Sequence, residues 1–456
     1  MWDFIQKGEE EFFKLFSKFK KRDFSGNEGQ AIENSGYQLA ITLIAKFGSL
    51  IFTIVMARML MPELFGLYSL ALGTIVLFTG FSDFGIGAAL VTFVSKSLGK
   101  KNPQKAKAYF SKLIKLKFII VLFATIVLLS LAYFVAKFYY HKPIFYALLV
   151  GGLYLPLSSF LGFFEGIFRA TNRFKYILIK EILYQFLRFG LIPISIFFLL
   201  KTNISQESLI ASIILILSLC FSTSLLFLLI FSRKKVNFIK LKKQSLSPKD
   251  KSGLRKFILP LILTVLSGAF FGYIDMVMLG HFVTSEFVGY YSAAFSLIAS
   301  AATILSFSFG ALLPIFSRLR KKQVNLGFKR VLIINFVFSF IAALVTFFLA
   351  KYVVLVAYGI SYLPSISLLK AFAIFLLFGS TISIYEMYFT SQEKTKVLAI
   401  LVVISTLINI SLNFVFINYG LRFGMFEAIF GACIATLISR ALYLIGLIIL
   451  KKIIKT

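Results

Sequence analysis

The feature that most constrains this chain is a succession of apolar runs, each about as long as a bilayer is thick. A helix needs roughly 20 mostly apolar residues to cross the hydrocarbon core. No water is available there, so every backbone N–H and C=O must be paired inside the spanning structure. Twelve runs meet that requirement, at about 36–57, 65–90, 114–136, 143–168, 174–200, 208–232, 256–280, 287–313, 330–355, 362–390, 396–417 and 426–450. The 59% hydrophobic content and a mean hydropathy of +0.91 set the chain apart from soluble proteins, which are about 45–50% apolar. The expected fold class is an all-α polytopic membrane protein.

Charge gives the orientation. A net charge of +31 in a soluble chain would point to nucleic acid, but here Lys and Arg sit in the connections between apolar runs. They crowd the N-terminal segment, the C-terminus and the loops after even-numbered spans. Loops after odd-numbered spans hold few, among them Arg58, Lys142, Lys201 and Arg422. By the positive-inside rule both termini are expected in the cytoplasm, with the protein in the cell membrane and no nucleic-acid partner. Residues 1–35 are polar, with Phe12, Leu15, Phe16 and Phe19 at helical spacing among lysines, the pattern of an amphipathic helix on the inner membrane surface. Glu9, Glu10 and Glu11 interrupt any signal-peptide core, so the first span is expected to do the targeting itself.

Two halves are legible. The stretch Arg233 to Lys256 carries ten basic residues and separates six spans from six, giving segments 1–35, 36–232, 233–255 and 256–456. Pro62-Glu63-Leu64-Phe65-Gly66-Leu67-Tyr68-Ser69 aligns with Ser285-Glu286-Phe287-Val288-Gly289-Tyr290-Tyr291-Ser292, about 223 residues on. Leu90–Lys96 aligns with Leu312–Arg318, and the pair Glu165 and Lys175 with Glu386 and Lys396. Six spans per half is an even number, so the halves are expected as parallel repeats about an axis along the membrane normal, around a central cavity.

Ionisable residues inside spans are costly and usually face a cavity or a partner. Lys46 lies about ten residues into its span, too deep to reach either surface, and Arg188 about fourteen, also deep, while Lys370 lies about eight residues in from the outer side. Asp83, flanked by Gly80, Gly85 and Gly87, and Asp275 are candidates to carry or gate a coupling ion, or simply to cap or pair. Arg58, Glu165 and Glu386 read as structural or gate salt-bridge residues. Tyr68, Tyr154, Tyr184 and Tyr385 could offer faces to a sugar, although interfacial belts account for tyrosine equally well. Cys220 and Cys433 lie in apolar runs, which argues against a disulfide framework. His141 and His281 have no companions at metal-ligand spacing, so neither a metal nor a cofactor is expected.

The segments Ala57–Tyr68, Asp83-Phe84-Gly85-Ile86-Gly87 and Ile274–Gly280 ahead of Val288-Gly289-Tyr290-Tyr291 together resemble Wzx-type O-antigen and polysaccharide flippases. These belong to the multidrug/oligosaccharidyl-lipid/polysaccharide exporter superfamily. The resemblance covers residues 36–450 and implies a non-enzymatic flippase. Such a protein moves a polyprenyl-(pyro)phosphate-linked oligosaccharide to the outer leaflet by alternating access, among membrane lipids and coupled to a proton, a sodium ion or the membrane potential. Lys46, Arg188 and Lys370 would then meet the phosphates in the central cleft. Two alternatives stand beside it: a drug or cation antiporter of the same superfamily, which would present acids rather than bases, and a membrane glycosyltransferase or polymerase, which would need a catalytic constellation that the short outer loops lack.

Overall fold

The computed structural model describes residues 26–310, 321–392 and 394–455. Most of the amphipathic 1–35 segment and the 312–318 repeat stretch fall outside these. The described chain is helical throughout, with α1 Gly26–Gly80, α2 Ile86–Gly99, α3 Pro103–Tyr133, α4 Phe145–Ala170, α5 Phe174–Leu199 and α6 Gln206–Lys235 in the first half. The second half holds α7 Pro248–Phe282, α8 Ser285–Gly310, α9 Lys321–Ala357, α10 Ser365–Phe372, α11 Phe375–Ser391, α12 Thr395–Leu421 and α13 Met425–Lys455.

Among the described residues ten helices are long and apolar enough to span, and α10 with α11, bent by 41°, make an eleventh. The first of the ten runs 48 residues, Glu33–Gly80. Straight, it would be about 72 Å long, more than twice the hydrocarbon thickness of about 30 Å. It is broken at Met61, whose φ is 58°, just before Pro62. Ile41, on one side of that break, shares a core with Ile86 and Leu90 on the other, so the chain turns back there. Twelve crossings result. The break at Met61 is 223 residues before the non-helical Thr284 that separates α7 from α8, the same offset as the sequence repeat.

The halves cross where the repeats predict a two-fold axis. A Cβ placed on Gly66 would lie 1.7 Å from the Ser285 carbonyl oxygen, and one on Gly289 would lie 2.1 Å from that of Pro62. Both 62/285 and 66/289 are 223 apart, so the contact is reciprocal, as in a two-fold interface. Only glycine lets the two backbones approach so closely.

We call the side carrying residues 57–65 the distal face and the opposite side, carrying the 233–255 connection, the terminal face. At the distal end one buried core joins both halves, from Phe52, Met56 and Tyr68 to Ile274, Tyr291 and Phe372. Toward the terminal face the core divides in two. Ile86, Leu113 and Phe164 belong to a first-half cluster that also takes in Phe238 and Leu254; Phe328, Phe389 and Tyr443 form a second-half cluster. Among the described residues the halves thus share one core distally and have separate cores toward the terminal face, where α7 keeps contact with the first half, Phe270 lying 5.8 Å from Phe81 and Phe257 5.4 Å from Phe93. The basic connection is not a free strap. Asp250 closes a capping box with Ser247, pairs with Lys105 at 2.8 Å and accepts from Tyr109 at 3.2 Å, which fastens the start of α7 to α3.

Two cations from the first half close the distal face onto helix ends of the second. Arg58 donates from Nε to the Ala357 carbonyl at 2.7 Å and from Nη2 to that of Val356, at the C-terminus of α9. Lys142 donates to the Gly280 carbonyl at 2.5 Å and to that of Val283 at 2.8 Å, at the C-terminus of α7. The last carbonyls of a helix have no partner in the helix and carry its negative dipole end, so cations are favoured there. Arg58 thus bridges the halves through helix carbonyls rather than through a carboxylate.

Candidate functional site

Two buried polar centres stand out, one in each half. The first is built on α5. Helical periodicity sets Glu181, Gln185 and Arg188 one turn apart along one face, and that face turns inward because its other side carries exposed apolar residues such as Ile182, Phe186 and Ile179. Arg188 is only 7% exposed. It donates from Nη2 to Gln185 Oε1 at 2.6 Å, and Gln185 Nε2 donates to Glu181 Oε1 at 2.7 Å. Lys180 then bridges Glu181 at 2.8 Å and Glu165 of α4 at 2.6 Å, and Glu165 meets Arg169 at 3.3 Å.

Among the described residues Arg188 touches no carboxylate. Its guanidinium lies 4.3 Å from the ring centroid of Phe52, 5.1 Å from Tyr184 and 5.8 Å from Phe189. Aromatic faces stabilise a desolvated cation without neutralising it. Its Nε is buried with no hydrogen-bond partner, an unusual state for a buried donor. Tyr68 and Tyr154 are also buried within electrostatic reach of the guanidinium. Three of the four tyrosines noted in the sequence therefore gather at Arg188.

The second centre is Asp275 on α7. Its carboxylate accepts from Tyr291 at 2.9 Å, from Asn413 Nδ2 at 2.5 Å and from the Thr436 hydroxyl. Asn413 and Asn409 lie one turn apart on α12, and both have a buried side-chain oxygen without a partner. One turn beyond Thr436 on α13, Arg440 stacks on Phe271 at 3.4 Å and donates to the Phe271 carbonyl at 3.3 Å; Phe271 is itself one turn from Asp275. Glu386 accepts from Tyr443 at 2.9 Å.

The remaining expected site residues are dispersed. Lys46 is exposed on α1, six residues and so about 120° around the helix from Phe52, and it does not share the Arg188 cage. Lys370 does not join Arg188 either. On α10, Leu368, Leu369 and Phe372 are buried while Lys370 is exposed. Its ammonium sits 5.5 Å from Phe347 on α9, whose exposed Phe336, Phe340, Val345 and Phe348 make a lipid-facing surface. The expectation of three cations meeting in one cavity is corrected on this point: the short helix turns Lys370 outward. Asp83 lies in a break of the second span, residues 81–85, where Phe84 and Gly85 have φ of 45° and 78°. It accepts from Gly87 N at 3.3 Å and pairs at 2.9 Å with Lys117, which is 1% exposed.

Lys117, Gln185, Asn413, Thr436 and Arg440 did not figure in the sequence reading. Arg440 lies as deep in its span as Arg188 does, so the same depth rule applied to every span would have found it. Asn409 and Asn413 carried a signal too, as two amides one turn apart in an apolar helix. Gln185 carried none.

The sequence profile of a family described as polysaccharide biosynthesis proteins matches residues 31–320. A comparison with curated protein sequences finds no match. Solved structures similar in fold include an inward-closed lipid II flippase MurJ, at a TM-score of 0.67 and 17% identity over 90% of this chain and 86% of that one. An inward-facing multidrug resistance MATE family transporter of the MOP superfamily gives 0.63 and 16%, over 93% and 96%. A MOP superfamily transporter from Pyrococcus furiosus, described as having a binding pocket of reverse polarity, gives 0.59 and 14%, over 94% and 96%. At these identities the likeness establishes the fold.

Proposed function

Since the chain belongs to the polysaccharide biosynthesis protein family, we propose that it is a flippase carrying a lipid-linked oligosaccharide, through its anionic (pyro)phosphate, from the cytoplasmic to the outer leaflet. One observation carries the reading: Arg188 is a buried guanidinium with, among the described residues, no carboxylate beside it and an unpartnered Nε. A buried cation without a counter-charge is costly, and an anionic ligand held by a guanidinium fork would relieve that cost. The same charge would repel a cationic drug, which weighs against an antiporter of organic cations. Flipping is not a chemical reaction, and the reading assigns no catalytic residue.

The positive-inside rule makes the terminal face cytoplasmic, so the arrangement sealed distally is the one that loads substrate from the cytoplasm. The halves, 36–232 and 256–456, rock against each other so that the Gly66–Gly289 crossing parts when the site opens distally, and the lipid tail stays in the bilayer while the head group crosses. Reporter fusions at Ser247 and Thr456 should both read cytoplasmic; an extracytoplasmic signal at either reverses the direction of transport.

Asp275 supplies the coupling site. A single carboxylate held by Tyr291, Asn413 and Thr436 provides one negative charge among neutral polar groups, which suits a proton or a monovalent cation such as sodium. Asp275→Asn should slow flipping about tenfold or more under an imposed ion gradient while the protein still inserts, since one neutralised carboxylate removes a charge-assisted interaction worth about 1.5–3 kcal/mol. The deciding assay is leaflet transfer of a labelled polyprenyl-pyrophosphate oligosaccharide in proteoliposomes, with and without sodium and pH gradients. Gradient-driven transfer at the wild-type rate by the Asn variant would leave Asp275 a structural role only. No transfer by the wild-type protein would overturn the flippase reading itself.

A further inference from the structure

We propose that Gln185 is a positioning residue whose neutrality keeps Arg188 free for substrate. This rests on the reading of Arg188 as the anion-binding group. Three cations, Arg169, Lys180 and Arg188, share one hydrogen-bonded ladder with two carboxylates, Glu165 and Glu181. Both oxygens of Glu181 are engaged: Oε2 with Lys180 at 2.8 Å and Oε1 with Gln185 at 2.7 Å. Lys180 is engaged on both sides, by Glu165 and Glu181. Arg188, at the deep end, therefore holds the ladder's one uncompensated positive charge.

Gln185 produces that state by standing between Arg188 and Glu181. Its carbonyl oxygen accepts from Arg188 at 2.6 Å and its amide donates to Glu181 at 2.7 Å, so it orients both groups while keeping the carboxylate a full side chain away from the guanidinium. An amide can accept from a cation through its oxygen and donate to an anion through its nitrogen at once, without carrying charge. The surroundings fix it in place. Gln185 is buried, and a Cβ on Gly48 of α1 would fall 2.6 Å from its side chain, so the first span is notched to admit it. A glutamate at this position would satisfy Arg188 internally and close the site to an external anion, a form of specificity set by what the site withholds.

The test compares the wild-type protein with Gln185→Glu, the double variant Gln185→Glu/Glu181→Gln, and Arg188→Ala. Each is assayed in detergent for binding of inorganic pyrophosphate and of a polyprenyl pyrophosphate, and for thermal unfolding. Gln185→Glu should weaken polyprenyl-pyrophosphate binding about tenfold to a hundredfold, but it also sets a second carboxylate against Glu181. Unfolding is therefore read on the double variant, which lacks that repulsion and should unfold at or above the wild-type temperature because the buried charge gains a partner. The double variant, which has the wild-type net charge but the carboxylate beside Arg188, should stay weak. Restored binding in the double variant would mean that total charge matters and position does not, and would overturn the proposal. Wild-type affinity for the lipid-linked probe in Gln185→Glu would overturn it too, even if Arg188→Ala has lost binding. If Arg188→Ala binds as the wild type does, the reading of Arg188 itself fails, which separates the two failures. Parallel loss of inorganic pyrophosphate binding assigns the effect to the phosphates alone; loss of the lipid-linked probe only assigns it to the phosphates of a membrane-held ligand.

Discussion

Replacing Arg188 by alanine should cut flipping of a polyprenyl-pyrophosphate oligosaccharide by about tenfold to a hundredfold, the equivalent of a lost charged hydrogen bond of about 1.5–3 kcal/mol, while expression and thermal unfolding stay near normal. The two effects separate because of what surrounds the side chain. Arg188 has no carboxylate partner to strand, its nearest polar contact is the neutral Gln185, and its other neighbours are the rings of Phe52, Tyr184 and Phe189. Removing the guanidinium also removes a buried donor that has no partner. By contrast, Lys180→Ala leaves Glu181 buried without a cation and Glu165 with Arg169 alone, and stability should fall along with transport. Arg188→Lys should recover part of the activity, since an ammonium is a point charge that cannot hold two phosphate oxygens in a fixed fork. Arg188→Glu should abolish transport. Leaflet transfer by Arg188→Ala at the wild-type rate would remove the central observation behind the proposed function.

A second large effect is expected at the distal crossing. Gly66→Leu should shift the protein out of the distally sealed state, because a Cβ there meets the Ser285 carbonyl at 1.7 Å and the obstacle is backbone rather than a movable side chain. Gly289→Leu should do the same through the Pro62 carbonyl, since the contact is reciprocal. The sealed state is also held by Arg58 and Lys142 on the helix ends of α9 and α7, so Arg58→Ala should act in the same direction but more weakly, by about tenfold in population. The measurement is labelling of single cysteines at Ser69 and Ser292, both buried and 223 residues apart, by a membrane-impermeant maleimide added from the distal side, in a background lacking Cys220 and Cys433. Labelling should rise at both sites in the leucine variants. Labelling no faster than in the parent protein would show that the crossing does not open during transport.

How much of this was readable in the residues differs from place to place. Depth within an apolar run singled out Arg188, because a cation that cannot reach either surface must face a partner or a cavity. The same rule admitted Lys370, and there it fell short. Depth says nothing about which side of a helix a residue occupies, and α10 turns Lys370 toward Phe347 and the lipid-facing surface of α9. Asp83 was marked by its glycines, and the break at residues 81–85 is what they allow: Gly85 takes a left-handed conformation open to it at little cost. Its partner Lys117 comes from another span, and no spacing in the sequence pairs the two.

Residue chemistry by itself determined the number of crossings, the repeat and its offset of 223, and the even span count that puts both ends on one side. These follow from local rules: backbone groups in a bilayer must pair within their own helix, and apolar length sets how often the chain crosses. Only the tertiary structure decided that Gly66 and Gly289 meet each other, that Arg58 caps a helix of the opposite half, that Asp275 gathers Asn413 and Thr436, and that Gln185 stands between Arg188 and Glu181. Each of those depends on the rotation and closeness of helices packed side by side. In a membrane that packing is chosen by the fit of small residues and a few polar contacts between spans distant in sequence, whereas the apolar pattern that defines the spans is nearly the same on every face of them.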